Sequence, residues 1–428
     1  MDSIKNNLSH SKTNKLINPW LICFLGSLFF FYEFVQMNMF NALSIALMQA
    51  FAINATQLGN LSACYFYALI LMLVPVGIFL DHFETKKLIL VSMMVSMLGT
   101  FFLSMTTNLH LAQVCRFVSG LGGAFAFQSC LRLIAENFPS KRLALVNGCI
   151  VTFAMLGGIV AQTPLTLLVQ IYDWRTVLWM YVGMGLFFYL FILIGLPNTA
   201  NFHKKKDSLT SRAQIKNKIK LAVYNRQTWL AGIYTSLLNL PVPVLGAVWG
   251  SGFIIHVHQV SKIAAANIVS MLFVGLILGS PLFGWVSDHF EQRRTPMLIG
   301  ALGALTTILI IVLLPSLSTF KLGVLFLLLG FFCSTEVLGY AVVAESNPMA
   351  RGTALGIACL IIMCTGALAQ PFFGWILDLH SNAIMINQVK TYPAVSYCHA
   401  MFILPIAFFI SLVAASLLRN PFSLSKNP

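Results

Sequence analysis

Charge is what this sequence has least of. Of its 428 residues 12 are acidic and 26 are Lys or Arg, 9% in all, against about 25% in an ordinary soluble domain. That scarcity excludes a water-soluble globular fold, because 58% hydrophobic residues and a mean hydropathy of +0.84 leave too little polar surface to cover the chain. The nine cysteines lack disulfide or metal-site spacing. Cys23, Cys64, Cys115, Cys130, Cys149, Cys333, Cys359 and Cys364 fall inside apolar runs and Cys398 begins the last one, so they read as small apolar residues. No secretion signal is evident: residues 1–18 are polar, and the first apolar run continues as a long span. No zinc-protease motif, Walker loop or nucleophile elbow occurs. That argues against an enzyme, and no cofactor or metal is called for.

Long apolar runs are what the chain has in abundance. A helix needs about 20 apolar residues to cross the hydrocarbon core. Six such runs occupy Trp20–Ala46, Gln57–Leu80, Leu88–Met105, Leu109–Ala135, Ala144–Val169 and Trp174–Leu196. Six more occupy Trp229–Ile255, Ala264–Ser287, Pro296–Leu314, Leu322–Ala344, Thr353–Leu377 and Tyr397–Leu418. The expected class is an all-α integral membrane protein of two six-helix bundles, 20–197 and 228–418. A tail (1–19), a basic linker (198–227) and a second tail (419–428) flank and join them. The second part of the linker suits a short surface helix.

The net charge of +14 would suggest nucleic acid on a soluble protein, but here its distribution argues for lipid. With the N-terminus inside, twenty Lys and Arg fall on the cytoplasmic side and four opposite: Arg175, Lys262, Lys321 and Lys390. Arg116 and Arg132 lie within span four. The bias places both termini in the cytoplasm, and the short loops suit a bacterial inner membrane.

The halves repeat. GIFLDHFETKKL (Gly77–Leu88) returns as GWVSDHFEQRRT (Gly284–Thr295), 207 positions on. Ala161-Gln162 returns as Ala369-Gln370 and Gly158 as Gly366, both at 208. Gly120 returns as Gly330 at 210, and ENFPSKR (Glu136–Arg142) as ESNPMAR (Glu345–Arg351) at 209. A near-constant offset marks two related halves, as in transporters.

Six plus six spans, a basic central linker and a Gly-x-x-x-Asp knot after spans two and eight resemble the major facilitator superfamily. RFVSGLGG (Arg116–Gly123) resembles that family's Arg-x-x-x-Gly-x-Gly motif, and YDWR (Tyr172–Arg175) its frequent Trp-Arg start to span six. Spans two to five are loosely similar to the branch that includes lysosomal dipeptide transporters and bacterial relatives. There are departures. His82 and His289 stand where the family has Arg after the Asp, and Glu84 and Glu291 stand where it has Gly. GGIVAQTP (Gly157–Pro164) replaces the antiporter subgroup's Gly-Pro signature.

The resemblance implies that Asp81 caps the N-terminus of span eleven and Asp288 that of span five, as latches between halves. Carboxylates suit helix N-termini, where the dipole is positive. Gly77 and Gly284 would let these helices approach. The pairs Lys86-Lys87 and Arg293-Arg294 read best as charges that hold the loops at the anionic surface. His82 and His289 raise the narrow possibility of a latch sensitive to cytoplasmic pH.

Two acids lie deep in spans, Glu33 and Glu336. Such residues are expensive in lipid and functional by default. The resemblance puts Glu33, Arg116 and Glu336 on spans that line a central cavity. Gln36 and Phe40 share the Glu33 face. Arg116 suits a substrate carboxylate or a structural clamp, and a desolvated Glu suits a proton. Weaker candidates are Asn239, beside Pro241 and Pro243 in a span that these prolines interrupt or kink, with Tyr65, Tyr67 and Trp249. His256 and His258 suit a surface role better than a metal, and GLGG (Gly120–Gly123) suits helix packing. The leading expectation is a monomeric secondary transporter coupling a small polar or zwitterionic solute to protons. The alternatives are a uniporter, an exporter of a small metabolite or siderophore, and a non-transporting sensor.

Overall fold

The computed structural model describes residues 18–139, 142–197, 212–314, 317–379, 384–386 and 389–419. The expectations for the two tails and for linker residues 198–211 therefore fall outside the described residues, apart from the stretches 18–19 and 419.

Among the described residues twelve helices are long and apolar enough to cross a membrane. Spans one to six are Pro19–Asn38, Ala55–His82, Thr85–Met105, Leu109–Asn137, Leu145–Ile171 and Trp174–Gly195. Spans seven to twelve are Arg226–His258, Lys262–His289, Arg294–Leu313, Thr319–Glu345, Arg351–Leu379 and Ala394–Leu417. A helix satisfies its own backbone in lipid, which is why apolar runs of this length take no other form. Several ends lie outside the apolar runs because polar side chains cap them. Asn54 and Gln57 form a capping box at span two, and Asn225 accepts the Gln227 N–H at span seven. Span one does not stop at Ala46. It steps at Met39 and runs on as Phe40–Phe51, ending at left-handed Ala52.

The linker helix is present at Arg212–Tyr224. Between spans eleven and twelve, Ile384–Ile386 pairs antiparallel with Val389–Thr391, a small hairpin that the apolar pattern did not announce.

The repeated glycines mark repeated contacts. Span four lies so close on span two that a Cβ at Gly120 would strike the Tyr65 carbonyl. Gly330 of span ten sits the same way on Leu272 of span eight. Small residues allow such approaches where lipid gives helices no hydrophobic reason to associate. One buried apolar cluster, from Ile22 to Leu196, belongs to the first half alone. A second fills the second half and continues into the first, from Met39, Phe40 and Leu43 to Leu58, Leu103, Met155 and Trp174. The halves therefore share one apolar core across several spans.

These glycines give a direct test. Gly120→Ala and Gly330→Ala should each destabilise by about 1–3 kcal/mol, the cost of overpacking. Gly77→Ala and Gly284→Ala, which meet no atom within 4 Å, should be neutral or better in the same thermal unfolding assay. Equal losses at all four positions would contradict the packing described.

Candidate functional site

Span one carries Glu33 and Gln36 into the interior of the first half, where they are 3% and 0% exposed. Tyr65 of span two donates its hydroxyl to Glu33 Oε2 at 2.8 Å. Glu33 Oε1 makes no hydrogen bond of good geometry, although the Ser96 hydroxyl stands beside the carboxylate. Gly123 of span four makes room for this pair, since a Cβ there would collide with Tyr65 Oη and Glu33 Oε2. The last glycine of the GLGG stretch thus does more than pack helices.

Arg116, two turns earlier on span four, is fully buried. Its guanidinium carbon lies 4.3 Å from the Phe40 ring centre and 4.7 Å from that of Tyr65. None of its three guanidinium nitrogens has an acceptor. Gln36 Nε2 donates to Thr100 of span three at 2.8 Å, and its carbonyl oxygen is unpartnered. One tyrosine therefore touches both charged residues, with its hydroxyl on the acid and its ring on the guanidinium.

Glu336 and Asn239 belong to a separate place. Glu336 is 7% exposed, begins a new helical segment after the step at Ser334-Thr335, and has Asn239 beside its carboxylate. Among the described residues no hydrogen bond or ion pair joins it to Glu33 or Arg116. Span seven is not broken at its prolines. It continues as a π-helix, Val242–Trp249. A wider turn keeps the backbone wound where two prolines cannot follow the α ladder, and such segments recur at functional sites. Two repeat-related glutamines serve it: Gln370 Nε2 donates to Pro243 O and Gln162 Nε2 to Gly246 O, both at 2.8 Å. Trp249 Nε1 donates to Gln370 O at 3.1 Å and its ring stacks on Phe373, so Trp249 fixes span eleven. His256 stacks on Tyr397, and no group of three metal-binding side chains occurs among the described residues.

The two ends of the bundle differ. At the end opposite the DHFE knots the halves are sealed. Asn41 donates to Ser251 Oγ at 2.8 Å and accepts the Ser251 N–H at 2.9 Å. Thr163 donates to Asn267 at 2.6 Å. Asp378, at the end of span eleven, accepts the Thr56 N–H at 2.9 Å and the Thr56 hydroxyl at the N-terminus of span two. Tyr392 donates to Asp378 Oδ1 at 2.6 Å and accepts the Ala55 N–H at 2.9 Å. Burial, then the Asp378 carboxylate, push the Tyr392 hydroxyl pKa up, so it stays a donor. Glycines here are packed across the halves: Gly59 on Gln370, Gly374 on Ala55, Gly158 on Phe273. At the knot end, Gly77, Gly148, Gly284, Gly352 and Gly356 of spans two, five, eight and eleven would meet nothing within 4 Å. The helices diverge there.

A family model described as Major Facilitator Superfamily matches residues 25–255 and 238–428. The chain belongs to that superfamily. It is 23% identical to the uncharacterized transporter YybO of Bacillus subtilis, over 81% of this chain and 85% of that one. It is 21% identical to a gentisate transporter of Corynebacterium glutamicum, over 87% and 85%. Its fold matches the crystal structure of a bacterial homolog of the human lysosomal transporter Spinster, described as inward-facing and unoccupied. The TM-score is 0.74 at 17% identity, over 97% of this chain and 98% of that one. The chain is thus a multi-pass membrane protein of a solute-transporter family.

In this superfamily member the two knots are unlike each other. Asp288 does not reach span five; it pairs with Arg293 of its own knot, and Arg293 pairs with Glu345 of span ten at 2.8 Å. Arg293 is 9% exposed and also donates to Ser287, so it is a bridging residue and not only a surface charge. Arg294 donates to Ser416 O of span twelve, and His289 stacks on Trp285. Asp81 is exposed, and among the described residues no ion pair joins it to span eleven. Lys87 pairs with neighbouring Glu84 at 3.0 Å, Lys86 is half-buried, and His82 Nδ1 lies 2.8 Å from Ile78 O. The repeat partner of Glu345, Glu136, pairs with Arg132. Gly77 and Gly284 do not bring helices together here. The expected latches are not formed in this conformation, because the helices they would join stand apart at this end. The backbone records the difference too. Glu291 is left-handed, φ 49°, where the family's glycine would be at ease, whereas Glu84 has φ −63°.

Sequence reading missed Thr56, Asp378 and Tyr392 as a set, because three polar residues near helix ends look like ordinary caps. Asp378→Asn should loosen the sealed end. In a Cys149→Ser background, Ala42→Cys beside Asn41 should react about tenfold faster with a membrane-impermeant maleimide when Asp378 is Asn, the upper range for a helix-terminus contact. An unchanged rate would mean that Asp378 does not hold the seal.

Proposed function

We propose that this chain is a secondary transporter that moves a small polar or zwitterionic solute by alternating access, coupled to protons. What carries the reading is the asymmetry of the ends: the halves are hydrogen-bonded at one and diverge at the other. A rocking exchange of those conditions would present a central site to each side in turn. In the opposite state, Asp81 would cap span eleven as Asp378 now caps span two. In this reading the knot end and both termini face the cytoplasm of a bacterial cell, an orientation that the charge bias supports, and a monomer is the working unit.

Glu33 is the proton carrier in this reading. A buried carboxyl with one oxygen on Tyr65 and the other without a hydrogen bond of good geometry can exist protonated or ionised, and few positions in lipid permit both. That the similar chain from Corynebacterium glutamicum is named a gentisate transporter supports a solute with an acid group.

The test begins with a thermal-shift screen of the purified protein against amino acids, dipeptides, sugars and organic acids. Uptake of the stabilising solute is then measured in liposomes. Glu33→Gln should abolish accumulation driven by a pH gradient, a loss of at least about tenfold, while solute exchange without a gradient survives. Undiminished pH-driven accumulation in the variant would reject the proton role.

A further inference from the structure

Arg116 is the feature that neither packing nor proton transfer absorbs. A guanidinium stays charged, and it presents five N–H donors in one plane. Here it is wholly enclosed, yet Nε, Nη1 and Nη2 all lack acceptors. The Phe40 and Tyr65 rings lie against its guanidinium carbon, and neither takes any of its N–H donors. A buried charge whose hydrogen-bond donors are all unpaired is costly for a core to hold. The obvious counter-ion is not used: Glu33 accepts from Tyr65 and forms no ion pair with Arg116. The other span-four cation, Arg132, is held by Glu136 at 2.7 Å. The remaining deep acid, Glu336, stands beside Asn239 in the other half.

We infer that Arg116 is the anchor of an anion site, and that the solute is a small organic monocarboxylate whose two oxygens complete the guanidinium edge. The inference rests on the transport reading above and narrows its substrate. A carboxylate is planar and matches the guanidinium fork through two parallel hydrogen bonds. A dicarboxylate would bring a second charge with no free cation to meet it in this cluster. The seam between halves controls access. Tyr65 packs with Phe66 and with Ala367 of span eleven, so separation of spans two and eleven at this level uncovers the guanidinium.

Charge balance sets the stoichiometry. Without solute, Arg116 and an ionised Glu33 sum to zero. With a monocarboxylate on Arg116 and a proton on Glu33, the sum is again zero. Both states are neutral, the least costly condition in a low-dielectric interior, so one proton accompanies one anion and no net charge crosses.

The experiment compares benzoate and lactate with their uncharged counterparts, benzamide and lactamide, for binding to the purified full-length protein by calorimetry. An acid should bind, its amide about 100-fold more weakly, and Arg116→Gln should abolish the preference while Arg116→Lys keeps part of it. Should Arg116→Gln not fold, the acid–amide comparison on the unaltered protein decides. Equal binding of acid and amide, undiminished acid binding by a folded Arg116→Gln, or no binding of either acid at about 10 mM overturns the site. In liposomes, uptake of the binding acid should ignore a potential set with valinomycin; a potential-dependent rate overturns the charge balance. Acid selectivity that persists without any pH-gradient dependence would sink the proton reading and leave the anion site standing.

Discussion

The carboxylate of Asp378 takes both the backbone N–H and the hydroxyl of Thr56, and through that contact the end of span eleven caps the start of span two. A helix N-terminus has unsatisfied N–H groups that favour negative charge. In a membrane protein those groups need a partner at the lipid boundary, and here the partner comes from the other half of the molecule. These two helices are pinned at one end and stand apart at the other. Gly77 and Gly352 have empty surroundings there, and Asp81 is exposed beside them.

The same constraint explains span seven. Its π-helical stretch spaces backbone carbonyls away from their usual donors, and hydrocarbon supplies none. Gln162 and Gln370 donate to two carbonyls of that stretch, Gly246 O and Pro243 O. Gln162 comes from the first half, so satisfying this backbone also ties the halves at the sealed end. Repeat symmetry in the sequence is thereby broken in the structure: two equivalent glutamines serve one helix. The knots break it again, with Arg293 bridging Asp288 and Glu345 in one half while, among the described residues, Asp81 forms no ion pair in the other.

The fold was legible because lipid narrows the choices. Apolar runs must be helices, the 207–210 offset must be a repeat, and Gly120 and Gly330 indeed mark equivalent contacts. Glu33, Arg116 and Gln36 were legible because polar residues deep in apolar runs are rare. Their partner Tyr65 was only a weak candidate, since an aromatic in a span usually packs against neighbours. That Glu336 stands apart from Arg116 depends on helix depth and rotation, which spacing along one span does not reveal. The state of the knots was not legible at all. Both copies read DHFE, and they differ in the basic residue that follows, Arg293 bridging Asp288 and Glu345 where the first copy has Lys86.

The central claim is that the two ends are held alternately. Two spin-labelled pairs test it most directly by distance measurement in lipid: Gly77→Cys with Gly352→Cys at the knot end, and Tyr172→Cys with Ser261→Cys at the sealed end. As saturating solute and pH shift the population, the first distance should shorten while the second lengthens. Distances that move together, or a knot-end distance that never changes, would contradict the account.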